Sequence, residues 1–138
     1  MGVRVRLKIR SRRAEVVTSA LVSSGFESSE PEIILPPTLA SILEERKIAV
    51  VEYRIAGGGF MSSVRIGELR VKLVLEDRET EEVTAVGTML PGEEEVFISD
   101  RLASALGIVI LDPYEGLWCL RDESGRKTRR SVLPQIWR

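Results

Sequence analysis

Ser23 and Ser24, followed by Gly25, close the apolar run Ala20-Leu21-Val22 and are the first residues to weigh for chemistry. A serine nucleophile needs a base to take its proton. The chain has no histidine, which removes the commonest base and the commonest metal ligand together. The four lysines, Lys8, Lys47, Lys72 and Lys127, fall on predicted surfaces. Glu27 is the nearest carboxylate in sequence and reads as a solvated loop residue. Asp100 falls in a first helical turn, where negative charge is favoured, and Asp112 before Pro113 reads as a turn residue. Cys119 is the single cysteine, so it forms neither an internal disulfide nor a cysteine metal cluster; it reads as a buried structural thiol. Gly57-Gly58-Gly59 is not a phosphate loop, because no Lys-Ser/Thr follows and it joins two strands. No cofactor or metal site is expected.

The elements that position these residues are mostly strands. Val3, Val5, Leu7 and Ile9 alternate with Arg4, Arg6, Lys8 and Arg10, the pattern of a half-buried strand. Ser11-Arg12-Arg13 turns into a second strand over 14–22. A short apolar strand, Ile33-Ile34-Leu35, runs into a helix opened by Pro36-Pro37. Strands over 48–56 and 60–66 flank the three glycines as a hairpin, and strands over 69–75 and 82–90 form another. Val96-Phe97-Ile98 leads to a helix over 100–106, N-capped by Ser99 and ended by Gly107. Strands over 109–111 and 117–120 follow. Residues 1–121 read as one β domain and residues 122–138 as a charged tail.

At 138 residues and 43% hydrophobic, the chain can build a real core, and with 5% aromatic residues that core must be aliphatic. The net charge of −1 is unevenly spread. Both ends are basic and the middle is acidic. The basic face of the first strand could contact nucleic-acid phosphates. No aromatics interleave for base stacking, and the acidic middle can pair with it across the sheet, so nucleic acid is not the expected partner. No apolar run approaches membrane-spanning length and no signal-peptide core follows Met1, so a cytoplasmic location is expected. Asparagine is absent and Gln135 is the only glutamine, the amide depletion associated with hot environments.

The chain also repeats itself. Val5, Leu7 and Ile9 match Val71, Leu73 and Leu75 at a constant offset, and Glu15, Val17 and Thr18 match Glu81, Val83 and Thr84 at the same one. After a small shift, Leu39-Ala40-Ser41-Ile42-Leu43 matches Leu102-Ala103-Ser104-Ala105-Leu106. Each copy reads hairpin, turn, irregular segment, short apolar strand, helix.

Four segments in this order, Ala20 to Gly25, Ile34-Leu35-Pro36 with its helix, Gly57 to Gly59, and Val96 to Ser99 with 102–111, make the chain resemble the retropepsin-like aspartic proteases over about residues 3–120. The resemblance implies an internally duplicated, closed β-barrel lobe with two short helices. It also implies a homodimer with one aspartate per subunit in an Asp-Thr/Ser-Gly motif, and a flap, here Gly57, Gly58 and Gly59, over an extended peptide. Two adjacent carboxylates share a proton and activate a water. Ser24 and Gly25 match that motif; Ser23 stands where the aspartate belongs. Ser99 stands where the family usually has glycine, which puts the backbone there in question. The second copy carries Thr88-Met89-Leu90-Pro91 instead of the motif.

Three functions follow as expectations: an inactive retropepsin-like homologue serving as a dimeric peptide-binding or structural module, a hydrolase with a non-standard catalytic residue, or a nucleic-acid-binding β protein.

Overall fold

The computed structural model describes residues 2–23, 25–44, 49–55 and 59–138. The alternating segment forms β1 (Val3–Arg10), with Val3, Val5, Leu7 and Ile9 all buried. Burying side chains of this kind contributes about 1.5–3 kcal/mol each for the larger ones. It pairs with β2 (Glu15–Val22) across the Ser11–Ala14 turn. Then come β3 (Glu32–Leu35), α1 (Pro37–Leu43), β4 (Ala49–Ile55), β5 (Gly59–Leu73), β6 (Val83–Met89), β7 (Phe97–Ile98), α2 (Asp100–Ala105), β8 (Ile108–Asp112), β9 (Leu117–Leu120) and β10 (Arg129–Arg130).

Strands β1-β2-β7-β3-β6-β5 run in that order, and β5 pairs back onto β1, so six strands close a barrel; β4 extends β5 outward. The described residues are mostly β with two α-helices, as expected. Exchanging the two halves leaves the pairing pattern unchanged. The β1–β2 hairpin corresponds to β5–β6, and parallel β2–β7 corresponds to parallel β6–β3. The sequence-matched pair Leu7 and Leu73 are direct partners across β1–β5, and Ile34 faces Phe97 where β3 meets β7. Both pairs sit on the pseudo-two-fold axis.

The repeat is less exact in the hairpins. Val5 pairs with Ala20, whereas Val71 pairs with Val83, the residue matched to Val17. The connection from β5 to β6 is longer than the Ser11–Ala14 turn, and the register has slipped. A second difference concerns 60–66 and 69–75, expected as separate strands. They are one strand, β5, whose register shifts between Arg65 and Gly67, with Gly67 at φ 111. A glycine bulge re-aims a strand without ending it, so β5 serves β4 with one end and β6 and β1 with the other. Opposite Gly67 lies Gly87, where an added Cβ would meet Leu69 Cδ1 at 2.6 Å.

The segment after residue 121 packs on the barrel. A 3-10 turn (Arg121–Glu123) leads to β10, which joins β9 and β8 in a second sheet. Ser131 Oγ accepts from Arg4 N at 2.9 Å and donates to Gly116 O at 2.6 Å, and Val132 N donates to Arg4 O. Gln135 N donates to Ser19 Oγ, and Trp137 Nε1 donates to Thr18 Oγ1 at 2.9 Å. No helix among the described residues is long and apolar enough to cross a membrane.

Candidate functional site

Ser23 follows β2 and is half-buried. Its amide donates to Ile98 O of β7 at 3.3 Å, and its carbonyl accepts from Phe26 N at 3.2 Å, closing a tight turn. Its hydroxyl has no hydrogen-bond partner among the described residues, so no base is bonded to it there. Ser24 lies outside the described residues. Gly25 is exposed, is not among the glycines with positive φ, and has open space where a Cβ would stand. Its backbone therefore does not demand glycine. Of the flap glycines, Gly59 begins β5 opposite Ile55; Gly57 and Gly58 lie outside the described residues.

The turn is fastened to the start of α2. Phe26 O accepts from Asp100 N at 3.1 Å, and the Phe26 and Phe97 rings meet edge to face at 5.6 Å. Ser99 is fully buried in extended backbone, φ −70 and ψ 164. Its Oγ accepts from Leu102 N, capping α2, and from Glu32 N at 3.0 Å. The hydroxyl thus does structural work that a glycine could not do.

Pairing aligns Leu21, Phe97, Ile34, Thr88 and Arg65 in one row across β2, β7, β3, β6 and β5. Paired residues share a face of the sheet, so this row lies on the side opposite Val22, Ile98 and Ile33, which belong to the core. Next to the row sits a group not anticipated from sequence. Glu32, 2% exposed, accepts hydrogen bonds from Thr88 Oγ1 at 2.6 Å and Ser28 Oγ at 2.8 Å. A buried carboxylate is tolerated only when so satisfied. Arg65 reaches Glu30 at 2.7 Å. The signal for Glu32 in the sequence was weak, because Thr88 lies in the other half of the chain.

The other candidates resolve into ordinary roles. Glu27 is exposed, Asp112 Oδ1 accepts from Tyr114 N and Glu115 N, and Cys119 is buried. Among the described residues no group of three His, Cys, Asp or Glu side chains gathers to hold a metal. The basic face of β1 meets the acidic middle directly. Arg10 grips Glu82 with two hydrogen bonds, Arg4 pairs with Glu95 and, on neighbouring β5, Lys72 pairs with Glu79.

A denser network holds the C-terminal segment. Arg129 bonds both Glu123 and Asp77, Lys127 adds a bond to Asp77, and Arg78 bonds Asp122 and Glu123. The Arg129 hydrogen bonds hold the Glu123 carboxyl down at about 2, outweighing the opposing effect of burial. The same guanidinium, helped by Lys127, holds Asp77 well below the ordinary carboxylate range, and Arg129 itself is raised.

No protein-family model matches this chain, and no curated protein sequence matches it significantly.

Proposed function

We propose that this chain is a retropepsin-like domain without acid-protease chemistry, kept as a dimeric peptide-binding or structural module. The observation that carries the reading is Ser23. It leaves β2 against β7 beside the crossing of β3 and β7, the counterpart of the family's aspartate at the end of its first motif strand. A serine hydroxyl holds no charge near neutral pH, so a shared-proton pair of carboxylates has no basis there. The closed barrel with interchangeable halves supports the reading, as do the β4–β5 antiparallel pair between those halves and the α2 helix directly after β7. For a ligand, an extended peptide fits best. Strand β4 ends the sheet order, and an edge strand accepts a further strand through its backbone groups.

The test pairs wild type with Ser23→Asp on a mixed-peptide substrate at acidic pH. Wild type is expected to be silent and the variant to cleave. Cleavage by wild type overturns the inactive reading. Sedimentation measures the second element of the proposal: a two-fold assembly is expected, and a clean monomer refutes it.

A further inference from the structure

We propose that the cavity between β1, β9 and β10 binds a small phosphate-type oxyanion. The cavity is open to solvent and has a volume of about 370 Å³, at the small end of the range that ligand pockets occupy. Arg4, Arg6, Lys127, Arg129 and Arg130 line it, against Glu76 and Asp77. Most of these charges are already matched. Glu95 holds Arg4, Asp77 is shared by Lys127 and Arg129, and Glu123 takes the rest of Arg129. Two guanidiniums are left over. Arg6 and Arg130 have no bonded carboxylate among the described residues, and the remaining wall acid, Glu76, is bonded to neither.

Unmatched guanidiniums on a concave wall attract planar or tetrahedral oxyanions, which they grip through paired N–H donors. Thr128 adds a hydroxyl to the lining. Trp118 forms part of the same wall, 3% exposed, with the Arg129 guanidinium 5.8 Å from its ring centroid. Its buried indole N–H has no acceptor among the described residues. The volume favours a compact dianion over a polymer. The site is distinct from the turn at Ser23 and does not depend on the proposed family.

The experiment titrates the intact protein by calorimetry with inorganic phosphate, pyrophosphate and a simple phosphomonoester, at constant ionic strength set with chloride. Saturable one-site binding is expected. The double variant Arg6→Gln/Arg130→Gln should weaken it at least about tenfold. Neither side chain has a hydrogen-bond or ion-pair partner among the described residues, so its thermal midpoint without ligand should match wild type. Arg70→Gln removes an exposed cation elsewhere on the barrel and should leave the affinity unchanged. Tighter binding of the phosphomonoester than of free phosphate assigns the site to phosphorylated small molecules; equal binding assigns it to the free anion. Absence of saturable binding overturns the proposal. So does equal weakening by Arg70→Gln, or binding of a single-stranded oligonucleotide without binding of pyrophosphate.

Discussion

The two halves of the barrel share one pairing scheme and differ where strands end. After β2 the chain makes the Ser23–Phe26 turn and a long polar passage carrying Ser28 and Glu30, which leads to Glu32 at the start of β3. After β6, Leu90 N bonds Leu35 O and Gly92 turns the chain at φ 86, with Val96 buried just before β7. The helices differ in the same sense. Helix α2 is capped by the Ser99 hydroxyl, while α1 begins after Pro36 with no side-chain cap. The frame is therefore set by strand partners, and the turns are free to diverge. The half with the longer, more polar passage is the one that holds the candidate site.

The comparison breaks first at its axis. Leu7→Ala removes a fully buried side chain at the junction of the halves and should cost about 2–5 kcal/mol in urea unfolding. A cost near zero would mean the β1–β5 seam is not where the halves are joined. The caps sharpen it next. Ser99→Ala removes the α2 cap and strands the Glu32 amide, for about 2–3 kcal/mol, whereas Pro36→Ser in the first half should stay within about 1 kcal/mol.

The third test concerns the clasp that only the second half carries. Glu123→Gln should cost about 2 kcal/mol at neutral pH. Its carboxyl lies at about 2 when folded against an ordinary 4.5. A depressed folded value gives stability that is complete above 4.5 and lost as the pH falls through 2. The gap between wild type and Glu123→Gln should therefore be constant from neutral pH down to about 4.5, narrow below it and close near pH 2. A gap independent of pH over that window would assign the loss to packing. The smallest effects lie in the turns: Gly92→Ala should cost about 1–2 kcal/mol for its positive φ. Gly25→Ala should change stability by less than about 0.5 kcal/mol, because its Cβ meets nothing.

Much of this frame was legible in the chain. The alternation in β1, the Ser99 cap and the matched Leu7 and Leu73 describe local geometry, which periodicity reports faithfully. The single β5 was not legible, because a glycine within an apolar pattern signals a break as readily as a bulge. Glu32 was missed for a different reason. Its burial depends on Thr88 and Ser28, and hydrogen bonds between halves leave no periodic trace. The clasp around Arg129 was hidden likewise, its residues reading as a charged tail until Asp77 was brought beside them.

The contact between Arg4 and Ser131 spans 127 positions of chain. Loop-closure entropy is lost before such a contact rewards it, and folds rich in long-range pairings assemble slowly. The edge of the first strand at Arg4 therefore stays uncovered until residues more than a hundred positions further along the chain have been made. Throughout that interval the edge is an open template for a neighbouring nascent chain. The stretch that covers this edge is thus also a safeguard against aggregation, effective only once residue 132 has left the ribosome and docked.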